Sequence, residues 1–172
     1  MWRTISSKEI FSHPRLTLIE DKIILPNGHQ TSYLKYKDDG NCSVAMIAKM
    51  DNKILLEREY SYPQNLKIFQ FPGGHISKNE KPKKGANREL MEEVGYRANK
   101  LELLGSCLTN QRRSTQKMYV FLASDLIEES LKNDDEEEIE KFWFTEDQIA
   151  KMIKNNEIID MHSLAAWCLY KS

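Results

Sequence analysis

Arg88-Glu89-Leu90-Met91-Glu92-Glu93 sets three carboxylates beside a guanidinium, in a stretch bounded by Gly85 and Gly95. On a helix, Glu89 and Glu93 stand four positions apart and Glu89 and Glu92 three apart, so the acids fall on or near one face. Arg88 and Glu92 also share the four-residue spacing, which lets Arg88 hold Glu92 and leave its neighbours free. Like charges so placed destabilise a helix by roughly 0.2–0.5 kcal/mol per pair, too little to decide anything. Two readings therefore stand: a solvated acidic face, or a group of hard oxygen donors suited to Mg²⁺ or Mn²⁺. Such ions keep several waters and bridge a substrate's phosphates.

The elements that must position these acids follow from local signals. Pro82 suits a first helical turn, where its missing N–H costs nothing, and Gly95 suits the stop, so the spacing predicts a helix over 82–94. Ala86, Leu90 and Val94 recur at intervals of four and give that helix an apolar stripe to bury, leaving its acidic face at the edge of a cleft. Upstream, "RLTLIEDKIIL" and "TSYLKYK" flank Pro26-Asn27-Gly28, a hairpin signal, and "SVAMIAKM" and "KILLERE" flank Asp51-Asn52 in the same way. Downstream, "KLELLGSCL", "QKMYVFLAS" and "EIEKFWF" are strand candidates. Thr145 with Gln148 opens a helix as a capping box, and "DMHSLAAWCLY" reads as a last one. The expected class is α+β, a mixed sheet with helices packed on it.

Composition bounds the function. A chain of 172 residues with 40% hydrophobic content is long enough for one domain with a core, and no internal repeat or low-complexity linker divides it. A net charge of −1 argues against a nucleic-acid footprint. No run of about 18 apolar residues is present and "MWRTISSKEIF" lacks the pattern of a secretory signal, so neither a membrane nor export is expected and the cytoplasm is the default. Cys42, Cys107 and Cys168 have neither disulfide-framework nor zinc spacing and read as reduced.

Gly74, Glu80 and the run Arg88-Glu89-Leu90-x-Glu92-Glu93-x-Gly95-Tyr96 stand at the spacing of the 23-residue Nudix box, here 74–96. Only Tyr96 departs, where an aliphatic residue is usual. With "ILLEREYSYP", "FQFPGG", "VFLASDL" and the tail from "EIEKFWF", nearly the whole chain resembles the ADP-ribose pyrophosphatase branch of the Nudix hydrolases. The resemblance implies a Nudix-type mixed sheet packed between helices, an α/β/α sandwich, with an N-terminal antiparallel hairpin within 1–40. It also implies metal-dependent hydrolysis of a nucleoside diphosphate linked to another moiety, X, with ADP-ribose or another nucleotide-sugar as the small-molecule substrate. A nucleoside triphosphate pyrophosphatase and a non-catalytic nucleotide sensor are the alternatives.

By the same resemblance, Glu89 and Glu93 match the principal metal ligands, Glu92 a further ligand or support, and the Gly73 carbonyl an added ligand. The metal is Mg²⁺ or Mn²⁺. Arg88 belongs to the catalytic set, and Glu80 is structural, bonding within the turn into the helix. The general base matches Glu137 or Glu138 in "NDDEEEIE", unless Glu89 or another box carboxylate serves; the five acids in a row also read as a solvated loop. The branch is usually dimeric through its N-terminal strands, so a homodimer is expected.

Outside the box, Tyr60 and Tyr62 are candidates to line a nucleotide-side pocket, and Arg58, Arg112 and Arg113 to contact substrate. The reasons lie in departures from the branch: Ser61 stands where arginine is usual, Gln70 where glutamate is usual, and "LTNQRRSTQ" replaces a proline-bearing segment. A guanidinium suits phosphate bidentately, which makes Arg112 and Arg113 the replacements for a missing clamp. His75, the lysines near 78–84 and the aromatics Phe142, Trp143 and Phe144 have plainer readings, as surface and core.

Overall fold

The computed structural model describes every residue except 39, 41, 77 and 132–137. The expected N-terminal antiparallel hairpin is present, and a further strand extends it to a three-stranded antiparallel meander. β1 (Arg3–His13) pairs with β2 (Leu16–Ile24), which pairs with β3 (Gln30–Tyr36). The hairpin signal at Pro26-Asn27-Gly28 is the β2–β3 turn, closed by Gly28 N–H to the Leu25 carbonyl at 2.9 Å, and of its residues only Gly28 uses positive φ, at 83°. All eleven residues of β1 are exposed, so no burial alternation marks it as a strand; cross-strand hydrogen bonds make it one. Asp21, on the middle strand, is buried and held by Lys35 and Ser7, whose bonds keep its carboxyl below the usual range.

The larger sheet is built on β4 (Cys42–Met50), whose Val44, Met46 and Ala48 face one side and Ala45 and Ile47 the other. Its alternation of two apolar sets is the sign of a strand covered on both faces. β5 (Lys53–Ser61) returns antiparallel through Asp51, whose φ of 53° closes the turn. β6 (Leu66–Gln70) pairs with β5 and β7 (Gly73–Ile76) with β4, two short strands that carry no alternating signal. β8 (Tyr96–Leu108) and β9 (Lys117–Glu128) follow the first helix; β9 runs parallel to β4, and β10 (Glu140–Thr145) pairs antiparallel with β5. The strand order is β10-β5-β4-β9-β8, a mixed sheet.

Helices cover both faces, which gives the α/β/α sandwich. α1 (Pro82–Glu89), continued by a π-helical turn over Leu90–Val94, buries Ala86, Leu90 and Val94 against Val44, Met46 and Phe121. The helix has the expected extent, but its last turn is wider than expected. There the Met91 and Val94 carbonyls take donors from outside the helix, Leu131 N–H at 3.0 Å and Lys141 Nζ at 3.2 Å, and Gly95 N–H reaches back to Leu90. Gly95 stops the element with φ 72°.

On the other face α2 (Glu146–Lys154) and α3 (Met161–Lys171) bring Ile149, Met152 and Ala166 onto Ala45, Ile47 and Ile54. The capping box at Thr145 and Gln148 forms as the sequence implies. Glu146 then ties both helices to β4, accepting from Lys171 at 2.9 Å, Tyr170 at 2.7 Å and Lys49 at 3.0 Å, and these bonds hold its carboxyl down at about 2. The chain divides into two compact units, Met1–Gly40 with Leu108–Gln116, and Asn41–Cys107 with Lys117–Ser172. Among the described residues no helix is long and apolar enough to cross a membrane.

Candidate active site

Four consecutive residues between β6 and α1 are clamped from several sides. Phe71 N–H donates to the buried Ser163 hydroxyl at 3.0 Å, and the Pro72 carbonyl accepts from Met46 N–H at 2.8 Å. Gly73 N–H donates to Glu93 Oε2 at 2.9 Å. A side chain on Gly73 would overlap the Val44 carbonyl, and one on Gly74 would overlap the Glu89 carboxylate, so the backbone here must be bare for sheet and acid to approach it. Two acids from one helix are thereby brought onto one glycine pair. Glu89, Glu93 and the Gly73 main chain share a site.

Arg88 organises the remaining acids. Its Nε and Nη2 grip both oxygens of Glu80 at 3.1 and 3.0 Å, Nη1 meets Glu92 at 2.7 Å and Glu89 at 3.0 Å, and Nη2 also donates to the His75 carbonyl at 3.1 Å. The expectation that Arg88 holds Glu92 alone is corrected here, because one planar fork has donors enough for several acceptors and the loop–helix turn folds Glu80 back onto it. The paired carboxylates, Glu80 first, push the guanidinium's proton affinity up still further. Glu80 has the structural position expected of it.

The donor set can be weighed for a divalent metal. Among the described residues no three His, Cys, Asp or Glu side chains converge to hold a metal unaided. Arg88 reaches Glu92 at 2.7 Å and Glu89 at 3.0 Å, and two of the three box carboxylates, Glu89 and Glu93, lie against the Gly73-Gly74 main chain. That set fits Mg²⁺ or a similar hard ion, which is commonly held by one or two carboxylates and completes its shell with water and substrate phosphate.

The other candidates are scattered. Arg58, on β5, is bonded to Glu140 at 2.6 Å and stacks over Phe69 and Phe142, with its guanidinium 5.4 and 5.2 Å from their ring centres. Tyr60 donates its hydroxyl to Asn65 at 2.7 Å and lines a cleft with Ser61, Tyr62 and Gln70. Arg112 and Arg113 lie in the unit of the N-terminal strands. There Arg113 donates to the Leu34 carbonyl at 3.1 Å and lies over Tyr33, whose hydroxyl donates to the Arg112 carbonyl at 2.6 Å. Glu138 is exposed, 4.0 Å from Lys67, and Glu137 lies outside the described residues. Phe142, Trp143 and Phe144 are half-buried, with Trp143 and Phe144 packed on opposite core clusters. Sequence reading missed Ser163, Glu140 and the Gln70 amide, which bridges Glu57 at 2.8 Å and Glu59 at 3.1 Å. All three depend on contacts distant in sequence.

The NUDIX domain family model matches residues 41–166, and that of the nucleoside diphosphate sugar hydrolase N-terminal domain matches residues 2–33. The chain belongs to the Nudix hydrolases. As such it is an enzyme that hydrolyses the diphosphate linkage of a nucleoside diphosphate joined to X, with a divalent metal. It is 32% identical to the ADP-ribose pyrophosphatase of Bacillus subtilis (strain 168), over 92% of this chain and 86% of that protein. It is 30% identical to the methanol dehydrogenase activator of Bacillus methanolicus, over 95% of this chain and 89% of the relative. A solved structure described as an ADP compounds hydrolase superposes with a TM-score of 0.93 at 23% identity, covering 99% of this chain and 92% of that one.

Proposed function

We propose that the protein hydrolyses ADP-ribose or a related nucleotide-sugar, with water attacking phosphorus and one P–O bond of the anhydride breaking, to give a nucleoside monophosphate and a sugar phosphate. The observation that carries this reading is the Glu93–Gly73 bond at 2.9 Å, which keeps one carboxylate at the main chain that Glu89 also abuts. Glu89, Glu93 and the Gly73 carbonyl hold Mg²⁺, with Mn²⁺ as a substitute, and Glu92 supports them through Arg88. When bound, the ion screens the diphosphate and makes the attacking water more acidic. The chain's own contribution is orientation: Arg88 fixes the acids, and the clamped glycines fix the carbonyl. A proton from water goes to Glu137 or Glu138, or to Glu89 if neither reaches. Tyr60 serves substrate binding, with Arg112 and Arg113 as the proposed phosphate contacts; Arg58, the other candidate, is already bonded to Glu140 and stacked on Phe69 and Phe142.

A panel assay tests the activity. AMP or other nucleoside monophosphate release from ADP-ribose and other nucleotide-sugars, measured with Mg²⁺ and with Mn²⁺, should exceed pyrophosphate release from nucleoside triphosphates. Faster turnover of triphosphates would replace this reading with a triphosphate pyrophosphatase, and binding without turnover would make the protein a sensor.

The same proposal includes a cytoplasmic homodimer formed through the N-terminal strands. Trp2, Ile5, Ile10, Phe11 and Leu34 are all exposed there, an apolar surface that water disfavours. Sedimentation at micromolar concentration should give twice the chain mass of 20.1 kDa. A fully active monomer would reject the dimer.

A further inference from the structure

Gln70 stands three residues before Gly73, within about 10 Å even if the chain between them is extended. It lines a cleft of about 650 Å³, shared with Glu59, Tyr60, Ser61, Tyr62 and Asp160. Strand phase decides which charges can reach this cleft. In the β5–β6 ladder Glu57 lies opposite Gln70, and Glu59 and Ser61 follow on the same face; Arg58, Tyr60 and Lys67 share the opposite phase, and of these three Tyr60 alone lines the cleft. Both cations, Arg58 and Lys67, are bonded to Glu140. No lysine, arginine or histidine is found among the described residues that line the cleft.

Two of the lining's donor groups, on Gln70 and Tyr60, are already engaged, while Ser61, Tyr62 and Gln64 supply neutral donors that carry no charge. Gln70 uses its amide nitrogen on both Glu57 and Glu59, at 2.8 and 3.1 Å, so its carbonyl oxygen remains as an acceptor. Tyr60 uses its hydroxyl hydrogen on Asn65 at 2.7 Å, which leaves its oxygen to accept. Asp160 caps α3 through Ser163 N–H at 2.8 Å and meets His162 at 3.2 Å. Even with His162 protonated and offsetting Asp160, the charge of Glu59 is still there. An entering group finds acceptors and negative potential.

We propose that this cleft receives the X moiety and admits X only when it is uncharged and rich in hydroxyls, excluding X groups that carry a carboxylate or phosphate of their own. The proposal rests on the hydrolase reading above. Sugar hydroxyls donate to Gln70, Tyr60 and Glu59, whereas an anionic X meets like charge with no cation to offset it. Ser61, on the cleft face, is the position at which a cation would reverse that preference.

A matched pair tests it: a nucleoside diphosphate glucose and the corresponding glucuronic acid derivative, with the base of the best panel substrate. They differ by one carboxylate. Wild-type kcat/KM should favour the glucose compound at least tenfold; Glu59→Gln should narrow the ratio at least threefold, and Ser61→Arg should narrow it further or invert it. Two variants of different size guard against one that fails to fold. Equal use of both compounds, a preference for the acid, or a ratio that neither variant moves would overturn the proposal. Hydrolysis of neither compound would leave the activity reading to the panel assay, and the charge preference would then be read from calorimetric dissociation constants of the same pair, with equal affinities overturning it.

Discussion

Glu93→Gln is expected to lower kcat by about 10²–10³-fold at saturating substrate and metal, the usual scale for losing one preorganised electrostatic partner at a reacting centre. The substitution is informative because of the bond that Glu93 makes. Glu93 Oε2 accepts from Gly73 N–H, and the amide oxygen of glutamine can accept the same bond, so the main chain at Gly73 should stay in place. What is lost is the negative charge. Without metal, the melting temperature should hold or rise, since one of three neighbouring acids no longer repels the others. Calorimetric titration with Mn²⁺ should show weakened binding alongside the loss of rate. A variant that keeps most of its activity would show that Glu93 only tethers Gly73, and wild-type turnover in exhaustive chelator would remove the metal assignment altogether.

The distinction between tether and ligand marks where sequence reading ended. The acids from Glu89 to Glu93 and their helix could be read directly, because a helix places residues four apart on one face and Pro82 and Gly95 mark its ends, whereas Gly74, Glu80 and Tyr96 came only with the resemblance to the Nudix box. β4 was legible as one arm of the hairpin at Asp51-Asn52, and its burial on both faces became visible only with the helices packed on either side. Nothing local announces that Gly73 will bond to Glu93, twenty residues later in the chain. β7 runs through Gly73-Gly74, a pair that reads as a turn, and becomes a strand because Val44 and Ala45 lie opposite it. β1 escaped detection for a related reason: with every residue exposed, it has no buried face to imprint on the sequence. Ser163 carries no local mark of its role, because the Phe71 N–H that donates to its hydroxyl lies far away in sequence. The substrate-side departures were visible as Ser61 and Gln70, but their meaning depends on pairing across β5 and β6. That pairing puts Arg58 on the face away from the cleft and turns both Gln70 donors inward.

Arg88→Ala should have the largest effect on stability. The guanidinium sits among Glu80, Glu89 and Glu92 and also satisfies the His75 carbonyl, so one change removes the counter-charge of three acids at once. A charged hydrogen bond is worth about 1.5–3 kcal/mol, and because the arginine is 34% exposed and water can replace part of what it supplies, the loss should lie near about 2–3 kcal/mol rather than at the sum. Arg88→Lys should recover only part of it, since a point charge cannot reproduce the two bonds to Glu80. The metal gives a check that ordinary destabilisation would not pass. If the same acids gather round a divalent ion, added Mg²⁺ or Mn²⁺ must raise the melting temperature of Arg88→Ala by more than it raises that of the wild type, because cation binding relieves a repulsion that only the variant suffers. Thermal scans of both proteins across a metal titration measure this directly. Parallel curves, with a constant gap between variant and wild type, would mean that the arginine braces the loop independently of the ion, and Glu92 would then have no part in the metal's surroundings.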